Sequence, residues 1–287
     1  MLHSLSLTAL SSISPSKTLN SITLSSSSPS SSSASLHSPL YLRFRTNNHE
    51  NLRYLKAIGV IDPNTKPHLL PSPDAITQML STIDFFKSKG FHDTDFSRLA
   101  YISPQLFSYD FDLTDVEPVF QFLATDLQAS VEESKGLIIN CPQILFSDVE
   151  YCLKPTLDYL KQLGVAKLNV ASKLNANLLN IREERLRSKV KFLKSIGLSH
   201  KEAASFCARI PAIFGYSIEN NLRPKLEYLL EEMERSMEEL KEFPQYFGFS
   251  LKKRIVPRHL HLKKRNVRIK LNRMLMWSDE RFYAKWK

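Results

Sequence analysis

Ile138-Ile-Asn-Cys-Pro142-Gln-Ile-Leu145 is an apolar run interrupted by one proline, and the chain repeats its plan. Ile102-Ser-Pro104-Gln-Leu-Phe107, Arg209-Ile-Pro211-Ala-Ile-Phe214 and Glu242-Phe-Pro244-Gln-Tyr-Phe247 each place large apolar residues two and three positions after a proline. Thirteen or fourteen residues further on stands a second proline, at Pro118, Pro155, Pro224 and Pro257. Apolar pairs such as Phe122-Leu123, Tyr159-Leu160 and Tyr228-Leu229 follow it. One unit between Pro142 and Pro211 has Ala176 and Ser188 in the two proline slots but keeps Leu178-Leu179 and Phe192-Leu193. The first slots at 104, 142, 176, 211 and 244 lie 33 to 38 residues apart, a period that signals a repeat architecture.

Working outward from the prolines, four of the seven glycines close one phrase: Tyr54-Leu-Lys-Ala-Ile-Gly59, Phe85-Phe-Lys-Ser-Lys-Gly90, Tyr159-Leu-Lys-Gln-Leu-Gly164 and Phe192-Leu-Lys-Ser-Ile-Gly197. Glycine ends a helix in the left-handed conformation, and a lysine in the last turn complements the helix dipole. Ser130/Glu133, Ser147/Glu150 and Ser199/Glu202 have the spacing of a capping box, with Asn180/Glu183 a looser version. Each unit therefore reads as one helix ending at the glycine and a second running into the first-slot proline. Alternating β-branched runs are scarce, so strands are not expected. Helix pairs of 33–38 residues cannot bury their apolar faces alone and stack. The expected fold is all-α, a right- or left-handed superhelical solenoid of five to six units between residues 50 and 260.

Charge is distributed unevenly along the 287 residues. The net +10 is essentially a property of residues 251–287, which hold thirteen basic groups against Asp279 and Glu280, whereas residues 46–250 sum to −4. A local excess of that size is a footprint for a polyanion. Seventeen of the first forty residues are serine and the first acid is Glu50, which marks residues 1–45 as a disordered transit peptide. Arginine is missing before Arg43, which favours a plastid over a mitochondrion. Three domains follow: the address at 1–45, the array at 46–260 and a basic closing helix or tail at 261–287. No apolar run approaches the roughly 18 residues that cross a bilayer, so membrane insertion is not expected.

These residues resemble the mitochondrial transcription termination factor family in its plant organellar branch. The resemblance rests on the Ile138–Leu145 phrase, on Ser250-Leu-Lys-Lys-Arg-Ile-Val-Pro257-Arg258 with the basic segment behind it, and on Ser278-Asp-Glu-Arg-Phe282, and it covers most of residues 50–287. It implies a helical superhelix whose basic concave face binds double-stranded nucleic acid in organelles, in transcription termination or another step of organellar gene expression. The plastid transcription machinery is then an implied partner. Two departures stand out, the proline-free unit and a short array. The arginine and aromatic residues with which animal members unstack DNA have no match here, so strand unwinding is not carried over.

Candidate phosphate contacts are Lys252, Lys253, Arg254, Arg258, Lys263, Lys264, Arg265 and Arg268, with Lys270 and Arg273 beside them. On one helix kinked at Pro257, Arg254, Arg258 and Arg265 would recur at helical spacing while Ile255, Leu262 and Ile269 face the core. A second candidate stripe is Arg187, Lys191 and Lys194, behind Leu186, Val190 and Leu193, although Glu183 can pair with Arg187 at i,i+4. Such contacts set affinity without reading sequence. Double-stranded DNA is the favoured ligand, structured RNA the alternative, and a protein-interaction scaffold the reading from another class. The aromatics at repeat landmarks read as core, while Trp277, Phe282, Tyr283 and Trp286 either pack the last helix or stack on bases. No phosphate-loop, dinucleotide, nucleophile-elbow or HExxH motif occurs, so neither an enzyme nor a cofactor or metal is expected. Cys141 reads as a buried small hydrophobe, and His259-Leu-His261 as an addition to the basic surface.

Overall fold

The computed structural model describes residues 39–287. The expected transit peptide therefore lies, up to residue 38, outside the described residues. Phe44–Lys287 forms one compact unit built, among the described residues, of helices and turns without a strand. Among the described residues fourteen α-helices follow one another: α1 Pro39–Ala57, α2 Pro73–Ser88, α3 Asp93–Ile102, α4 Glu117–Thr125, α5 Val131–Asn140, α6 Lys154–Gln162, α7 Lys173–Leu179, α8 Glu183–Ser195, α9 His200–Arg209, α10 Arg223–Glu227, α11 Met237–Glu242, α12 Val256–Lys263, α13 Leu271–Met276 and α14 Asp279–Lys285. All-α repeat architecture is what the proline and glycine rhythm requires. The four phrase-ending glycines, Gly59, Gly90, Gly164 and Gly197, have φ of +75°, +89°, +81° and +100°. At Gly90 a side chain is barred twice, because an added Cβ would also stand 2.6 Å from Val131 Cγ1.

Helix starts follow the expected chemistry with two shifts. Ser130 and Ser199 accept from the backbone N–H of Glu133 and Glu202, whose carboxylates accept from the serine N–H in return. Ser147 is not a cap; Asp148 next to it accepts from Tyr151 N, because the turn after Pro142 runs on through Phe146. Asn180 ends α7 instead of opening α8, and Arg182 stands at the start of α8 without a side-chain cap bond.

Each proline does a specific job. The first-slot prolines open 3₁₀ turns at Pro104–Phe107, Pro142–Phe146, Pro211–Gly215 and Pro244–Gly248, each separated by a single residue from the helix before it. Proline is well placed at such a start, where no N–H is needed and its fixed φ suits the turn. Second-slot prolines Pro155, Pro224 and Pro257 lie well inside continuous helical segments. Behind each is a π-helical turn, Val149–Leu153, Ile218–Leu222 or Leu251–Ile255. Leu153 N bonds Asp148 O, Leu222 N bonds Ser217 O and Ile255 N bonds Ser250 O, all spaced i to i−5. The wider turn takes up the ring and the missing donor that would break an α-helix. Where Ser188 replaces the proline, α8 is regular for thirteen residues; where Ala176 replaces it, α7 runs straight through to Leu179 with no 3₁₀ turn. A further π turn, Tyr228–Glu232, closes α10 without a proline.

One continuous core runs from Leu55 to Phe282. Phe85, Phe86, Phe91 and Phe120 pack edge to face at its beginning, and Phe206 meets Phe247 across two later units. Basic side chains tie units together by donating to carbonyls at the ends of neighbouring helices: Arg98 to Ile139 O, and Arg209 to Lys241 O and Glu242 O. Those carbonyls have no partner inside their own helix, so a cation satisfies both the hydrogen bond and the dipole.

Candidate nucleic-acid interface

The helical segment that carries the second-slot position opens with the same ion pair in three successive units. A glutamate five residues before the slot meets a base one residue before it: Glu150 with Lys154, Glu183 with Arg187, Glu219 with Arg223. The two arginines also lie over an aromatic ring of the preceding unit, Arg187 over Tyr159 at 4.4 Å and Arg223 over Phe192 at 5.9 Å. Arg187 is thus engaged with Glu183 and Tyr159, while Lys191 and Lys194 stay exposed on α8 with no side-chain partner among the described residues. In the last unit the pattern breaks. Lys252 stands in the glutamate position and Val256 in the basic one, so Lys252 and its neighbour Lys253 project from the Leu251–Ile255 turn as unpaired charges.

The C-terminal arginines divide sharply. Arg258 is 0% exposed. Its guanidinium donates to Met274 O at 2.5 Å, to Trp277 O at 2.8 Å and to Asp279 Oδ1, and lies 4.6 Å from the centre of the Phe282 ring. Arg254 is half-buried and donates to Leu275 O and Trp277 O. Both hold the α13–α14 hairpin onto α12, so Arg258 presents no surface to a phosphate and Arg254 little. The expectation that Arg254, Arg258 and Arg265 share a polar face is corrected here. Ile255, Arg258 and Leu262 stand at i, i+3 and i+7, which places Arg258 on the buried stripe itself.

Lys263, Lys264 and Arg265 close α12, exposed, with Arg265 resting on His261. Arg268 is exposed but donates to Glu234 O and approaches Glu239. Among the C-terminal candidates, Lys252, Lys253, Lys263, Lys264, Lys270 and Arg273 thus have no side-chain partner among the described residues, and Arg265 is held only by a histidine. Two further buried cations were not singled out from sequence: Lys225, bonded to Phe247 O, and Arg235, bonded to Ile269 O and Glu239. Lys225 shares its stripe with Leu222, Leu226 and Leu229, the signal by which it could have been found.

The tail aromatics pack: Phe282 is buried, and His261 lies between Phe282, Tyr283 and the Trp286 carbonyl. His259 accepts or donates to the Tyr228 hydroxyl, and burial followed by the charges of Lys263 and Arg235 lowers its pKa. Burial thus works against a charge on His259, contrary to the expectation that it adds to the basic surface. Cys141 is buried, and burial pushes its thiol up.

Fold and surface together define an all-α repeat protein, most of its units set off by proline turns, with unpaired cations on its last unit and on α8. The chain belongs to the mTERF family, whose model matches residues 39–283. It is similar to transcription termination factor MTERF8, chloroplastic, of Arabidopsis thaliana, with 25% identity over 285 residues, covering 86% of this chain and 56% of that protein. From the same plant, MTERF2, chloroplastic, is 36% identical over 98 residues, 34% of this chain and 15% of that protein. MTERF5, chloroplastic, is 31% identical over 136 residues, 47% and 27% respectively. The chain thus spans little more than half the length of MTERF8 and much less of the other two. Membership in this family points to nucleic-acid-binding regulation of organellar gene expression.

Proposed function

We propose that the chain acts in the plastid, binding double-stranded DNA through its last unit and regulating transcription there, most directly at termination. The relatives named chloroplastic and the serine-rich, acid-free N-terminus support the compartment. The observation that carries the binding reading is the break in the ion-pair pattern: three units neutralise their own bases at this edge, and the last substitutes Lys252 and Lys253 without partners. Lys263, Lys264 and Arg265 add to it. The role proposed is binding, for which these groups suffice because they can neutralise phosphate.

Contacts of this kind release counterions. If all five side chains reach phosphate, log K falls against log salt with a slope of about −4.5 on duplex DNA, and Lys252→Ala with Lys253→Ala makes it shallower by about 1.8. The measurement is binding of the chain to duplex DNA, single-stranded RNA and structured RNA over a salt series, wild type and double variant in parallel. Tighter binding to duplex with the shallower variant slope is expected. Preference for structured RNA would move the role to RNA maturation, and salt-insensitive weak binding to all three would leave a protein scaffold.

A further inference from the structure

The positive end has a counterpart. Residues 91–165 carry twelve acidic groups against four basic ones, Arg98, Lys135, Lys154 and Lys161, and all four are engaged. Arg98 donates to Ile139 O, Lys135 pairs with Glu132, Lys154 with Glu150, and Lys161 donates to Asp126 O. Between α4 and the start of α6 a groove of about 530 Å³ is lined by Asp115, Asp126, Asp148 and Glu150, with Lys154 as its one cation.

Phe146 and Tyr151 flank the lining segment Ser147–Glu150 in the chain, and Tyr101 and Tyr109 are exposed aromatics of the preceding unit. Tyr101 is 89% exposed, Tyr151 86%, Tyr109 64% and Phe146 44%. They sit on the loop edge of two adjacent units that are tied together by Arg98 to Ile139 O and by the Phe111–Phe146 ring contact at 6.3 Å. The fold does not demand aromatic residues there. Where the first unit has Tyr101, three residues before its proline, later units have Ala208 and Lys241; in place of Phe146 they have Gly215 and Gly248, and in place of Tyr151, Asn220 and Lys253.

We propose that these two units, through the exposed Tyr101, Tyr109, Phe146 and Tyr151 together with the acidic groove, dock a lysine- and arginine-rich segment of a protein partner. Exposed tyrosines are the side chains on which protein interfaces concentrate binding energy. Their ring faces attract guanidinium and ammonium groups, and the surrounding carboxylates steer and pair with the same cations. A phosphate backbone is repelled by this surface. Tyr151 and Lys253 occupy the same position of the repeat, four residues before the second proline. The inference does not rest on the nucleic-acid reading.

The test uses the full chain and two fluorescein-labelled peptides, one alternating arginine or lysine with leucine, the other with glutamate in place of every base. The basic peptide is expected to bind at least about tenfold tighter than the acidic one. Tyr101→Ser with Tyr151→Ser is expected to weaken it about tenfold although no charge changes, as is Asp115→Asn with Asp126→Asn. Circular dichroism confirms that the variants fold, and duplex-DNA affinity stays unchanged in the tyrosine pair. Equal binding of both peptides, or indifference to the tyrosine pair, overturns the proposal. So does self-association in sedimentation that the tyrosine pair abolishes, which would make the occupant a second copy of this chain.

Discussion

Replacing Arg258 with methionine keeps most of the side-chain volume and removes the guanidinium, separating a structural arginine from a phosphate contact. The buried Met274 O loses its charged donor, and Trp277 O loses one of two, keeping Arg254. Hydrogen bonds to a charged group contribute about 1.5–3 kcal/mol each, and an orphaned buried acceptor costs a similar amount. The third bond, to Asp279, is discounted almost to nothing because that carboxylate is 69% exposed. The sum is about 3–6 kcal/mol, concentrated on α13 and α14, which the two arginines hold. At 1.4 kcal/mol per factor of ten, backbone amides of residues 271–287 should exchange with solvent at least about a hundredfold faster, while α5 to α9 exchange as before. Hydrogen exchange read by mass spectrometry gives both numbers in one experiment, and salt-series binding to duplex DNA gives the other half. The slope should stay within about 0.3 of wild type, below the 0.9 that one lost phosphate contact removes. Unchanged exchange in the hairpin together with a slope shallower by about 0.9 would refute the assignment and return Arg258 to the ligand surface.

Ser188→Pro places the ring inside the regular α8, against the carbonyl of Glu184, and should cost about 3 kcal/mol in urea unfolding; a neutral outcome would mean that the π turn forms wherever the proline is put. Glu202 is held down to about 2 by the Ser199 backbone N–H and then by Lys241, against an ordinary value of 4.5. A carboxylate depressed by folding stabilises above its unfolded value and loses that contribution as pH falls from about 4.5 through about 2. Glu202→Gln should flatten the acid limb of stability in that window and leave its shape above pH 6 alone; an unaltered acid limb would show that the capping box does not carry it.

Much of the architecture is legible from residues alone, because prolines, glycines and serine caps act through local backbone chemistry. Gly59, Gly90, Gly164 and Gly197 mark helix ends without any knowledge of what packs on them, and Ser130 and Ser199 mark starts. Less legible is what each proline produces. Turns of 3₁₀ and π type differ by one hydrogen-bond register, which apolar periodicity does not encode. The cap shift from Ser147 to Asp148 follows from that same turn.

At the candidate interface, charge is legible and its engagement is not. Arg254 and Arg258 look like Lys252 and Lys253 in a basic run, yet their acceptors are backbone carbonyls of residues 274–277, which leave no mark in a side-chain pattern. Arg258 could have been distinguished by its place between Ile255 and Leu262. Arg254 and Arg235 required the tertiary contacts.

The stacking of Arg187 on Tyr159 and of Arg223 on Phe192 couples each second helix only to the one before it. Such nearest-neighbour coupling makes the array a zipper more than a globule. Under a load applied at its ends, rupture passes link by link, and a lesion in one unit weakens its two neighbours while leaving distant ones with their own strength. The interval between the acidic edge and the cationic end is then a mechanical length, and what one end grips can be felt at the other only through every link between.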